Sequence, residues 1–163
     1  MRDRRFVAKH RGGPLSKNKH YLMALWAAAC AEHVLSVLWK NDIDQRPINA
    51  VRQARAWAGG EISVGDARKA AVAAHASARA SRNAAATAAA RAAGHAAATA
   101  HMADHCMATA WYALKGVEFG GNNAERERRW QVRKLPKAIR DLVVSGCERR
   151  RIYPKQLSKT DTP

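Results

Sequence analysis

Apolar residues recur at the helical period through most of the chain. From about Ser16 to Trp39 the stripe runs Leu22, Leu25 and Trp26, Ala29 and Cys30, His33 and Val34, Val37 and Leu38, which is the spacing of one helix face. The stripe predicts a first helix of roughly 24 residues, about 36 Å long at 1.5 Å per residue. Asn41-Asp42-Ile43-Asp44 breaks it, and Pro47 then stands where a first-turn proline belongs. That second, short helix runs to Ala58 and stops at Gly59-Gly60, where a left-handed cap costs glycine nothing.

The same punctuation continues downstream. Ser63 can cap exposed amides, and Asp66 three residues on complements the positive end of a third helix reaching Ala80. Ser81-Arg82-Asn83 breaks the pattern, with Asn83 capping a fourth helix over residues 84–100. A kink at residues 101–103 precedes a fifth helix over 104–116, and Asn123 caps a sixth through Trp130 to Lys134. Pro136 restarts a seventh that ends near Ser145-Gly146.

Composition sharpens this into an all-α fold. Alanine fills 20 of the 34 residues from Ala67 to Ala100, and β-branched residues are sparse there, which argues against a sheet. Alanine loses no side-chain entropy on ordering and lets helix axes approach closely, but each residue buries little area. The large anchors are expected from the flanks: Leu22, Trp26, Leu38, Trp39, Trp57, Met102, Trp111, Tyr112, Trp130, Leu135 and Leu142. At 163 residues the chain suits a single domain. The expected bundle has about six to seven helices, with the alanine-rich third and fourth as a central pair and the first and fifth around them.

Charge adds a second feature. The formal net charge is +16. Residues 1–20 carry seven Lys/Arg and one Asp, and residues 118–163 carry twelve Lys/Arg and six Asp/Glu, so each end holds +6 of that excess. This divides the chain into a basic flexible arm over 1–15, an all-helical domain over 16–148 and a basic polar tail over 149–163. Such ends can bind a nucleic-acid backbone without sequence preference. Yet no helix shows the basic, base-reading stripe of a recognition helix. No apolar core of a signal peptide follows the N-terminus. Arg91 and His95 interrupt the charge-poor run of residues 84–100, and alanine is too weakly apolar to make it a membrane span. The expected location is the cytoplasm.

Candidate chemistry is sparse. Cys30, Cys106 and Cys147 are an odd set without ligand spacing, which excludes a disulfide scaffold. His101 and His105 stand four apart, the spacing with which two imidazoles on one helix share a metal. Asp104 and Cys106 are near, but no third ligand is evident, so no metal is assigned and no cofactor is implied. Arg68, Val72, His75 and Arg79 form one line along the third helix, and Arg91 and His95 a pair on the fourth. Side by side these could meet a carboxylate- or phosphate-bearing partner, or pair internally with Glu32, Glu61 or Asp104. Glu32 and His33 point about 100° apart and do not cooperate directly. His33 lies within the apolar stripe and reads as a hydrogen-bonded core histidine. Phosphate-loop, nucleophile-elbow and CxxC patterns are all missing from the sequence, so no catalytic residue is assigned and an enzyme is not expected.

Several runs carry a resemblance. They are Leu25-Trp26-Ala27-Ala28-Ala29-Cys30-Ala31-Glu32-His33-Val34-Leu35, Arg46-Pro47-Ile48, Ala54-Arg55-Ala56-Trp57-Ala58-Gly59-Gly60-Glu61-Ile62 and Gly65-Asp66-Ala67-Arg68-Lys69-Ala70-Ala71, with the alanine-rich stretch from Ala90 to His101. Together they resemble the immunity proteins of bacterial polymorphic toxin systems, in the small all-α branch similar to immunity protein five. Trp130-Gln131, Leu135-Pro136 and Ile139 resemble that family's closing segment, and the likeness runs from Lys17 to Val144. It implies a cytosolic protein that binds and neutralises a cognate toxin. The surface to probe first is Arg68, His75, Arg79, Arg91 and His95, followed by Glu32, Arg55, Trp57 and Glu61.

Overall fold

A computed structural model describes residues 3–38 and 44–155. Seven α-helices follow in chain order: α1 (Lys17–Leu38), α2 (Gln45–Ala58), α3 (Val64–Ala80), α4 (Ala84–Ala98), α5 (His105–Phe119), α6 (Ala124–Arg133) and α7 (Lys137–Arg149). Two single 3-10 turns, Arg4–Phe6 and Lys9–Arg11, precede them. The fold is all-α, as the periodicity predicts. Of the break expected over Asn41-Asp42-Ile43-Asp44, the first three residues lie outside the described residues, as does Trp39. Asp44 caps α2 by accepting from the Arg46 amide at 3.0 Å.

The helix starts follow the local chemistry closely. Ser63 Oγ accepts from the Asp66 amide at 3.1 Å and the Asp66 carboxylate answers the Ser63 amide at 3.4 Å, a reciprocal capping box. Asn83 and Asn123 cap α4 and α6 through amides three residues on, each at 2.9 Å. The ends move further. α5 runs on to Phe119 and α7 to Arg149, past the glycines Gly116 and Gly146 where the pattern suggested a stop. Both glycines are buried inside their helices, because neighbours need the space. A Cβ on Gly146 would stand 2.6 Å from Met107 Sδ and 2.9 Å from the Phe6 ring.

Packing places α4 alone at the centre, against α1, α2, α3 and α5, whereas an α3–α4 central pair was expected. Ala88, Ala89, Ala90, Ala92, Ala93, Ala96, Ala97 and Ala98 are all buried, and their small side chains let four helices close around one axis. α3 keeps an open face, on which Val72 is 65% exposed. The bulky core comes from α1, α5, α7 and the chain ends: Met23, Trp26, Val34, Met107, Ile139 and Val143 are buried, together with Phe6 and Tyr153.

The two ends depart from the sequence expectation. Residues 3–15 are not a solvated arm but a closed loop: Lys9 donates to the Leu15 carbonyl at 2.9 Å and the Leu15 amide to the Val7 carbonyl at 3.0 Å. Phe6 is 0% and Leu15 2% exposed. Arg5 bridges Asp3 and Ser145, and Asp3 also takes Arg149 at 3.2 Å. Past α7, Tyr153 is buried and donates to Gln131 Oε1 at 2.9 Å. Apolar side chains spaced among the arginines outweigh the charge, because burying one Phe is worth about 2–3 kcal/mol and solvated cations cost little. Residues 156–163 lie outside the described residues.

Gln131 ties these parts together. Its amide donates to Glu127 Oε1 at 3.1 Å and to the Ala110 carbonyl at 3.3 Å, its side-chain oxygen accepts from Tyr153, and its backbone carbonyl accepts from the Trp26 indole at 2.9 Å. Replacing Gln131 by Leu takes the partner from the buried Glu127 Oε1 and the Tyr153 hydroxyl together, while Glu127 Oε2 keeps His33. We expect a loss of about 2–4 kcal/mol, read as a shift of the urea midpoint at unchanged slope. An unchanged midpoint would remove the hub role.

Candidate functional site

The predicted Arg/His lines of α3 and α4 do meet. The half-buried His75 and His95 rings lie edge to face, centroids 4.9 Å apart, while Arg68 and Arg79 remain exposed on the outer face of α3. Gly94 makes this approach possible: a Cβ there would stand 2.8 Å from the His75 imidazole. α5 adds residues the sequence lines did not include. His95 Nδ1 and His105 Nδ1 are 3.0 Å apart, and Tyr112 stacks on His95 at 5.3 Å with 11° between planes. The Arg91 guanidinium sits 5.8 Å from the Tyr112 ring centre. The helical period of α5 could have pointed to Tyr112, seven residues after His105, but not to its partner on α4.

The imidazoles of this cluster, His75, His95 and His105, are pushed toward the neutral form. Burial, then the charges of His105, His75, Arg91 and His101, push His95 down to about 3. Burial leads also for His105, with His101 adding to it and Asp104 opposing, and for His75, with Arg91 and Arg79 adding to it. Two nitrogens 3.0 Å apart share a single proton, one ring donating and the other accepting. His101 and His105 are not four apart on one helix. His101 lies in the turn after α4 and His105 opens α5, although their rings still come within 5.0 Å. Among the described residues no group of three or more His, Cys, Asp or Glu is arranged to hold a metal ion.

The second predicted set does not form one site. Arg55 pairs with Glu32 at 2.7 Å on the α1–α2 surface, Trp57 is buried against His20 and Tyr21, and Glu61 is exposed in the turn after α2. Asp104 pairs with Arg150 at 2.8 Å. His33 stacks flat on Trp130 at 3.9 Å and faces the buried Glu127 carboxylate at 2.8 Å. It is a packed interhelical histidine whose carboxylate comes from α6 rather than from the adjacent Glu32. All three cysteines are free and buried, and burial pushes each thiol up, which removes the thiolate a sulfur nucleophile needs.

Two surface grooves flank these features. One, of about 310 Å³, is lined by Glu32, Leu35, Ile48, Val51, Arg52 and Arg55. The other, of about 380 Å³, lies between the α3–α4 turn and α5. Trp111, expected in the core, is instead 40% exposed there, and Phe119 is 57% exposed. Trp111, Lys115 and Phe119 fall at i, i+4 and i+8, one stripe of α5. That spacing was available in the sequence, but periodicity does not say whether a stripe faces inward.

No curated protein and no solved structure matches the chain. A family model described as "Imm-5 like putative immunity protein" matches residues 13–138. The match starts at the end of the N-terminal loop, takes in α1 to α6 and ends where α7 begins. The chain therefore belongs to the Imm-5-like family.

Proposed function

We propose that this protein binds a cognate toxin of a bacterial polymorphic toxin system in the cytoplasm and neutralises it by occlusion, without catalysis. The observation that carries this reading is the family match across residues 13–138, which takes in the histidine cluster and both grooves. A body of closely packed alanine helices supports it physically, since a rigid surface loses little entropy on binding. A net charge of +16 favours rapid encounter with an acidic face. α1 is long and apolar enough to cross a membrane by composition, but its apolar face is used against α2, α4 and α5.

Binding of nucleic acid by the ends is the weaker reading. Arg5, Arg149 and Arg150 are engaged in ion pairs with Asp3 and Asp104, which leaves fewer cations for a phosphate backbone. The test begins with capture by the tagged full-length chain from its native cell, after nuclease treatment and at raised salt. The captured partner is then expressed alone and together with this chain. Growth arrest by the partner, relieved by co-expression, is the expected result. A partner that is harmless, or one that still kills beside this chain, would overturn the reading.

A further inference from the structure

The groove between the α3–α4 turn and α5 brings exposed aromatic side chains and cations together. Its walls hold Trp111, Phe119 and Tyr112 beside Arg82, Arg91 and Lys115. Exposed apolar side chains scattered singly need no explanation, but two large aromatics on one helix stripe of one groove form a patch. Trp, Tyr and Arg are also the residue types that dominate binding energy at protein interfaces. The floor is braced, because Trp111 packs edge-on to Tyr112 at 4.7 Å and Tyr112 stacks on the half-buried His95.

Charge selects the occupant. No carboxylate lines the groove, and Glu118, which pairs with Lys115 at 2.9 Å, stands beside it. No carboxylate of the described residues pairs with Arg82 or Arg91. From Val64 to Val117 the cations Arg68, Lys69, Arg79, Arg82, Arg91 and Lys115 are set against only Asp66 and Asp104. The groove beside Arg55 differs on both counts, since Glu32 lines it and pairs with Arg55, and no aromatic side chain lines it.

Resting on the immunity reading, we propose that the toxin docks in this groove by inserting an apolar side chain flanked by carboxylates. The apolar side chain stacks on Trp111 and Phe119, and the carboxylates meet Arg82 and Arg91. The histidine cluster behind Tyr112 is then a support that fixes the wall, not a contact.

The experiment uses the full-length chain and the toxin purified by the capture described above. Trp111→Ala and the double variant Arg82→Glu/Arg91→Glu are compared with wild type, and Arg52→Glu in the other groove is the control. Each is checked for an unchanged melting temperature and then measured for affinity and for rescue of growth. The proposal expects at least about 30-fold weaker binding for Trp111→Ala. The double charge reversal should slow association and abolish rescue, and the control should stay within about twofold of wild type. Rescue by wild type and by both groove variants alike overturns the groove while leaving the immunity reading intact. A wild-type chain that rescues nothing overturns both.

Discussion

A chain trimmed to residues 16–148 will not hold this fold. Charge and glycine content mark residues 1–15 as expendable, yet Phe6 and Leu15 are 0% and 2% exposed, and the far side of the cut removes the buried Tyr153. Truncating one buried Phe costs about 3–5 kcal/mol and one buried Leu about 2–5 kcal/mol. Their joint loss is comparable to the whole stability of an ordinary domain, about 5–15 kcal/mol. The cut also leaves the Gln131 amide oxygen without the Tyr153 hydroxyl and opens the pocket between Met107 and Gly146.

The trimmed chain should show loss of cooperative melting and collapsed amide dispersion in an NMR spectrum. In the full chain, Phe6→Ala alone should lower stability by about 3 kcal/mol or more. Removing charge from the same loop by Arg4→Ser and Lys9→Ser should change it by less than about 0.5 kcal/mol, because both side chains are exposed. A trimmed chain that melts like wild type would show that these ends only decorate the body.

Stability should also fall steeply between pH 6.5 and 4.5. In the unfolded chain the imidazoles of His75, His95 and His105 titrate near 6.5. In the fold all three are pushed down, His95 to about 3. Between those values the unfolded state binds more protons, so stability rises with pH, is complete above about 6.5 and is lost as pH falls. His95 alone should account for about 2–3 kcal/mol of the loss by pH 4.5.

Cations and rings surround His95: His75 from α3, with Arg79 acting on His75 in turn, Arg91 on α4, His105 and Tyr112 from α5, and His101 in the turn after α4. Asp104 lies nearer His105, where it opposes the shift, with Arg150 beyond. The aspartates held low by their partners, Asp3, Asp44 and Asp66, lose their contribution only at more acid pH. The window above pH 4.5 therefore isolates the imidazoles. Urea midpoints of wild type and His95→Gln across this range should diverge, with the variant giving the shallower slope. Imidazole titrations by NMR that place all three near 6.5 would end this account.

What the sequence determined by itself was the list of helices and their starts. Capping by Ser63, Asn83 and Asn123 and the stiff preference of alanine for the helix act within a few residues, so they are legible in one dimension. Family membership was legible for a related reason: runs such as Trp26 to Leu35 and Ala54 to Ile62 are rare strings, and rare strings survive without coordinates.

Only the tertiary structure decided which faces turn inward. Trp26 and Trp111 look alike as residues on periodic helices, yet one is sealed beneath α6 and the other borders an open groove. The histidine cluster draws on α3, α4, the turn after it and α5, and no single period encodes that meeting. The ends show the same limit. A charge-rich, glycine-bearing stretch reads as solvated until Phe6 finds Gly146, because burial depends on the partner surface and not on the segment that supplies the side chain.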